Sequence, residues 1–370
     1  MEIINLRADQ FKKSMKKPDG RDLTLYSRRP IPEGLVPTSP ANPGQKGEPH
    51  LRWHPLREEW VAYATHRQNR TFLPPKEYNP LAPTSNPEFP TELPGGDYDI
   101  AVFTNLFASL SLTAVEAPEL IVPTKPGQGH CEVVVFTPNP DTNLGALPLG
   151  QVELLVEVWA DRYLEIQKKG DIRYIMPFEN RGVEVGVTLH HPHGQIYAYP
   201  FIPPVQQQML NAQRTHYQKF GRTLLQDHLQ KEKEDGRRLI HVGDSSTAFL
   251  PVCARYPYET WVMPNRPVSA LHELTDPEKR DFARTLKTML LKYEGLWSRP
   301  FPYLMLLHSA PTDKEAHPEW HFHISFSPPY RSRDRLKYLA GTELGAGMFV
   351  NDSSPEEKAQ ELQQVEVSFD

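Results

Sequence analysis

The feature that most limits what this chain can fold into is a repeated order of elements with a His-x-His group at the same place in each copy. A strand-like run at 131–137 leads into a helix, and strand-like runs at 174–178 and 195–199 follow it. Further along, a run at 260–263 leads into a second helix and then runs at 303–307 and 321–326. The first helix carries Val152, Leu155, Val156, Trp159, Tyr163 and Ile166 on one face of a 3.6-residue period, with Gly170 as its stop signal. The second opens at Thr275-Asp276-Pro277-Glu278, which has capping-box spacing and proline in the first turn. Its apolar face is Phe282, Leu286, Met289, Leu290 and Tyr293. The interval from Val133 to His191 nearly equals that from Trp261 to His321. Two unrelated strand–helix–strand–strand runs are the alternative, but divergent duplication also explains the matched histidines. The pattern predicts an α+β fold in which two repeats form a mainly antiparallel sheet flanked by helices. The expected division is an N-terminal arm at 1–50, a first repeat at 51–203 and a second repeat at 204–370.

The arm is expected because 29–49 is dense in Pro, Gly and polar residues without an apolar period, and regular structure is expected to begin near 60–63. A second proline-rich stretch, 74–94, reads as loop ahead of a strand at Ile100–Thr104. The 38 prolines are roughly twice the usual share of about 5%, so many connections should be stiff and extended. Net charge is -5, which argues against a broad nucleic-acid-binding face. An anionic substrate would then need a local cluster of cations. No run reaches the roughly 18 apolar residues of a membrane helix, and 1–20 lacks a secretory core. Cys131 and Cys253 alone build no disulfide framework, and the expected compartment is the cytoplasm, without a membrane partner.

The most informative segment is His190-His191-Pro192-His193-Gly194-Gln195. In an extended chain His191, His193 and Gln195 would point the same way. Pro192 cannot donate to a ladder, so the motif belongs at a strand start or edge. Gly194 admits another backbone or a phosphate. A neutral imidazole titrates near pH 6.5 and its nitrogen attacks phosphorus readily. A backbone carbonyl bonded to one ring nitrogen would fix the tautomer and free the other. The product would be a phosphoramidate able to pass its nucleotidyl group to a second acceptor, with Gln195 donating a hydrogen bond to a phosphoryl oxygen. Clustered histidines are also metal ligands; the Pro, Gly and Gln of the full motif favour the nucleophile.

His-Pro-His-Gly-Gln at 191–195 resembles the active-site signature of the galactose-1-phosphate uridylyltransferase family, whose members carry two histidine-triad repeats. The resemblance runs from about Trp53 to the C-terminus. It implies that His193 is the nucleophile and that Gln195 stabilises the uridylylated intermediate. His66-Arg67-Gln68-Asn69-Arg70 looks like the family's basic pair, so Arg67 and Arg70 are implied at the phosphates, where guanidinium groups form forked bonds. Phe103-Thr104-Asn105 is similar to its uridine-side contacts, which implicates Phe103 and Asn105. Phe178-Glu179-Asn180-Arg181-Gly182 resembles a segment whose asparagine, here Asn180, lies near the phosphates. Thr188 and His191 complete the substrate side near the motif. Lys337 and Glu343 sit in the family's hexose-phosphate region, which is reached from a neighbouring subunit, so a homodimer with shared active sites is implied.

The implied reaction is ping-pong exchange of UMP between UDP-glucose and galactose 1-phosphate through a uridylyl-histidine, with no metal required for catalysis. The family's zinc site uses a Cys-x-x-Cys pair, a further histidine and the first histidine of the signature. Here those positions align with Asn79, Ala82, Pro140 and His191, so the site is lost and His191 becomes an orienting residue. A second family metal site is matched by His308, His321 and His323, but its carboxylate falls near Gln208 or Met209. Zinc or iron held by these three imidazoles and a hydrogen-bonded histidine cluster both remain open. A related phosphorylase, using an adenine nucleotide sugar and phosphate, would share the nucleophile and the duplicated fold.

Overall fold

The computed structural model describes residues 3–7, 9–40, 47–69, 73–75 and 78–369. Its strands are β1 (Ile3–Arg7), β2 (Gln10–Lys16), β3 (Asp22–Ser27), β4 (His50–His54), β5 (Glu59–Tyr63), β6 (Ile100–Thr104), β7 (Thr124–Pro126), β8 (His130–Val135), β9 (Tyr174–Arg181) and β10 (His193–Tyr199). The second half adds β11 (Leu239–Val242), β12 (Ser246–Phe249), β13 (Thr260–Pro264), β14 (Tyr303–His308), β15 (His323–Ser327), β16 (Tyr330–Ser332) and β17 (Arg335–Leu336). The α-helices are α1 (Leu149–Ile166), α2 (Pro204–Phe220), α3 (Leu224–Asp235), α4 (Asp276–Leu296) and α5 (Pro355–Gln363).

Twelve strands form one antiparallel sheet in the order β1-β2-β3-β6-β8-β10-β9-β14-β15-β13-β12-β11. Its centre is a palindrome: β8-β10-β9 meets β14-β15-β13 where Leu304 pairs Asn180 and Leu306 pairs Phe178. The repeats are therefore joined by main-chain hydrogen bonds, and the fold is α+β with few helices, as the element order predicts. α1 and α4 share one face of this sheet. Val152, Leu155, Val156 and Trp159 pack with Phe282, Leu286, Met289 and Leu290 over Val134, Ile196, Val262 and Ile324. Each such side chain, fully buried, contributes about 1.5–3 kcal/mol of transfer free energy. The capping box at α4 is formed, with the Thr275 N–H donating to Glu278 Oε2 at 2.8 Å.

The first 27 residues differ from the expected arm. β2 and β3 extend the main sheet, with Leu23 and Leu25 fully buried. The alternation of β2 is hidden because lysines hold buried positions: Lys12 pairs with Asp161 on α1 at 2.8 Å, and Lys13 donates to the carbonyls of Pro32 and Glu33. These strands lay a second core on the face opposite the helices, in which Leu23, Leu25, Phe103, Val133 and Val135 meet Leu81 and Leu93. The site lies where β8 and β9 end and β10 begins.

Candidate active site

β10 starts at His193, and its residues alternate: Gly194, Ile196 and Ala198 are buried toward the helices, while His193, Gln195, Tyr197 and Tyr199 are half-buried on the other face. The alternation does not extend back to His191, which precedes the strand and is 2% exposed. Gly194 serves the core rather than an approaching phosphate. A Cβ there would lie 2.8 Å from the Phe178 carbonyl oxygen and 2.9 Å from the Phe136 ring, so another backbone and an aromatic ring occupy the space.

Hydrogen bonds fix the protonation of both histidines. His193 Nδ1 is 2.7 Å from the His191 carbonyl oxygen. A carbonyl only accepts, so Nδ1 carries the proton and Nε2 keeps its lone pair. Burial lowers the His193 pKa, opposed in part by that hydrogen bond, so the ring is held neutral. His191 Nε2 donates to the Thr137 carbonyl at 2.7 Å, and its Nδ1 is 2.9 Å from Asn79 Nδ2. With both nitrogens engaged, burial pushes His191 down to about 4.

A cleft of about 560 Å³ opens over His193, walled by Asn79, Pro140–Asn143, Glu179–Gly182, Val187, Leu189 and Pro300–Pro302. Asn180 lines it, and so does Arg181, which pairs with Glu294 at 2.5 Å. Glu179 is buried there at 4% exposure and accepts from the Tyr303 hydroxyl at 3.0 Å; burial raises its carboxyl to about 7. Beside His193, Gln195 Oε1 accepts from Asn105 Nδ2 at 3.4 Å, which leaves the glutamine amide group as a donor. Arg67 reaches the same face, donating to the Tyr197 hydroxyl at 3.2 Å and to the Phe107 carbonyl.

Other residues singled out from the sequence fall elsewhere. Phe103 is 2% exposed in the second core, with Lys17 Nζ 4.6 Å from its ring centroid, so it is a packing residue. Thr188 is half-buried near the motif, and its carbonyl accepts from the Leu73 N–H at 2.8 Å. Arg70 lies outside the described residues. Lys337 and Glu343 pair with each other at 3.3 Å; backbone N–H groups of Ala340 and Val350 also bind Glu343, which lies well down at about 2, and neither residue lines the cleft. Asn79, Thr137, Glu179 and Tyr197 were not singled out as site residues. Asn79 carries the one usable signal, being the residue at a family ligand position.

In the second repeat His321 Nε2 donates to the Pro264 carbonyl at 2.9 Å, and its Nδ1 lies 3.4 Å from Thr223 Oγ1. His323 Nδ1 donates to the His321 carbonyl at 3.2 Å. His308 stacks on His323 at 4.6 Å between centroids, with Nε2 on Ser325 Oγ and Nδ1 without a hydrogen-bond partner among the described residues. The three imidazoles do not converge on one point. Among the described residues no group of three or more His, Cys, Asp or Glu is arranged to hold a metal. The Asn79, Ala82 and Pro140 positions offer no ligand type either, and His191 has no free nitrogen. Neither set fits a metal ion as arranged.

A neutral, tautomer-fixed imidazole beside an amide donor, on an antiparallel sheet made of two matching halves, fits a group-transfer enzyme of the duplicated histidine-triad type. Residues 41–203 match the family model for the N-terminal domain of galactose-1-phosphate uridyl transferase, and residues 206–369 match that for its C-terminal domain. A galactose-1-phosphate uridylyltransferase of Thermotoga maritima is 38% identical over 326 residues, 86% of this chain and 99% of the relative. A solved uridylyltransferase structure superposes with a TM-score of 0.75 at 32% identity, covering 85% of this chain and 98% of that one. An ADP-glucose phosphorylase from Arabidopsis thaliana superposes at 0.64 with 23% identity over 86% of this chain and 100% of that one, which shows a shared fold alone. The chain belongs to the galactose-1-phosphate uridylyltransferase family.

Proposed function

We propose that this chain exchanges UMP between UDP-glucose and galactose 1-phosphate, with His193 Nε2 as the atom that carries the uridylyl group. The observation that carries the reading is the bond from His193 Nδ1 to the His191 carbonyl, which leaves Nε2 as an unprotonated nucleophile at the cleft. Nε2 attacks the α-phosphorus of UDP-glucose, and the P–O bond to glucose 1-phosphate breaks. That leaving group departs as a stable anion and needs no general acid. The phosphate of galactose 1-phosphate then attacks the uridylyl-histidine, and Nε2 regains its lone pair. Two displacements retain configuration at phosphorus. Gln195 donates to a phosphoryl oxygen, while Asn180, Asn105 and Arg67 line the nucleotide's path.

No metal enters these steps, because amide, guanidinium and backbone donors stabilise the phosphoryl charge. The hydrogen-bonded state of His191 and His321 supports this, and dialysis against a chelator should leave the rate within twofold. Lys337 and Glu343 serve the hexose phosphate from a second copy of the chain. Exposure of Tyr338, Leu344 and Met348 around them supports a homodimer, which light scattering would measure directly. The mass of the intact protein after incubation with UDP-glucose tests the reading. A uridylyl adduct is expected on the native chain and not on His193→Asn; an adduct obtained only with ADP-glucose would assign the chain to the phosphorylase chemistry instead.

A further inference from the structure

The chemistry above needs the His191 carbonyl in place, and the structure shows what holds it. Asn79 opens a tight turn: its Oδ1 accepts from the Leu81 N–H at 3.0 Å, and the Ala82 N–H donates to its carbonyl at 3.2 Å. With Oδ1 committed to a donor, the other end of the amide is Nδ2, and it faces His191 Nδ1 at 2.9 Å. His191 Nε2 must donate, because its partner is the Thr137 carbonyl. Nδ1 is therefore the acceptor, and the Asn79 amide is its donor. The ring so clamped belongs to the residue whose carbonyl receives the His193 proton, and the following Pro192 carbonyl accepts from the Phe136 N–H at 3.1 Å.

We propose that Asn79 is a positioning residue for the transfer reaction: by donating to His191 Nδ1 it fixes the His191 tautomer and carbonyl, and through them the orientation and tautomer of His193. The inference rests on His193 being the nucleophile. Asn79 touches no reacting atom. The donation matters because His191 is only 2% exposed, and an orphaned acceptor there would favour a flipped or doubly protonated ring.

Asn79→Asp separates this role from packing. It keeps the shape and the Oδ1 acceptor for the Leu81 N–H but presents an acceptor to an acceptor. Adduct formation from UDP-glucose, followed by rapid quench and intact mass, should slow on the order of 10- to 100-fold, the range seen when partners that orient functional imidazoles are removed. The UDP-glucose concentration giving half-maximal rate should stay within about twofold. Histidine ¹⁵N spectra supply a readout independent of turnover. In the native chain His191 should show a bare Nδ1 and a protonated Nε2 across pH 6–8; in Asn79→Asp its Nδ1 should become protonated within that range. An unchanged rate together with an unchanged His191 spectrum overturns the proposal. Absence of adduct in the native chain overturns the nucleophile reading itself, and the His191 spectra still decide whether Asn79 sets the tautomer. Asn79→Ala, if it folds, should lose rate without protonating His191 Nδ1 to the same extent.

Discussion

Three imidazoles held neutral by burial make this fold sensitive to mild acid. His191, His321 and His323 are 2%, 0% and 2% exposed, and burial pushes each to about 4 from an ordinary 6.5. The sign follows from which state takes up the proton. Between pH 6.5 and 4 the unfolded chain binds a proton at each of these positions and the native chain does not, so stability is complete above pH 6.5 and is lost as pH falls. Each one lowers the folding free energy by about 2 kcal/mol at pH 5 relative to pH 8. Glu179 acts in the opposite direction. Raised to about 7, it protonates in the native state first and returns about 2–3 kcal/mol over the same interval. For these four groups the balance near pH 5.5 is a net uptake of roughly two protons on unfolding, or about 2–3 kcal/mol of lost stability per pH unit. His308, also pushed well down by burial, adds in the same direction.

Urea denaturation followed by tryptophan fluorescence from pH 8 to pH 5 measures this slope. Glu179→Gln is the informative partner variant. It preserves shape and an acceptor for the Tyr303 hydroxyl but removes the opposing titration, so the slope should steepen by close to one proton. A folding free energy that stays flat or rises between pH 6.5 and 5 would refute the assignment of neutral buried histidines. So would a Glu179→Gln slope equal to that of the native chain.

His323→Asn should leave the rate of adduct formation within about threefold of the native chain, because its ring is stacked against His308 and no phosphate can reach it; loss of the adduct would make the second repeat catalytic. Gly194→Ala should destabilise by about 1–3 kcal/mol through overpacking against the Phe178 carbonyl and Phe136 ring, and displace His193, so both the thermal midpoint and the adduct rate fall. Arg162→Met strips the buried Glu132 of two hydrogen bonds, at 2.9 and 2.7 Å, leaving His130 as its remaining partner. That should cost about 3–5 kcal/mol in urea denaturation, and adding Glu132→Gln should recover part of it.

What could be read from the sequence was wherever local and tertiary preferences agree. The period of α1, the capping box of α4 and the apolar run of β6 each specify an element by themselves, and each is found. β2 was missed because its buried positions are lysines neutralised by Asp161 and by carbonyls, partners that lie far along the chain. Strand alternation put His191 on the same face as His193, and that placement failed for a related reason. The ladder begins two residues later, and what places His191 is a carbonyl 54 positions away and an amide 112 positions away. Phe103 was implicated as a nucleotide contact by the resemblance of the 103–105 run, yet the second core, to which the N-terminal strands add Met15, Leu23 and Leu25, encloses it. In each case the deciding contact joins segments whose proximity only the sheet order creates.

The two repeats hold the same imidazole hydrogen bonds in different surroundings. His191 and His321 both donate Nε2–H to the carbonyl of a residue beyond the flanking strand or at its end, and His193 and His323 both donate Nδ1–H to the carbonyl two residues back. The imidazole geometry a nucleophile needs is thus present twice. What differs is what surrounds it. Carried two residues past its last pair, Gln195 with Phe178, the β10–β9 register sets Asn180 across from His193, where His308 pairs His323 in the second repeat. An amide at that position lines an open cleft, whereas an imidazole closes over its neighbour by stacking. Gln195 is replaced by Ser325, which hydrogen-bonds His308 instead of offering a donor to a ligand. Gly194 with the Phe136 ring above it is replaced by Ile324, which fills the same helix-side core itself. The hydrogen bond that leaves an imidazole nitrogen unprotonated is therefore shared by both repeats, and an open cleft beside it is what the first repeat adds. A variant that restored His323 as a nucleophile would have to remove the His308 ring before anything else.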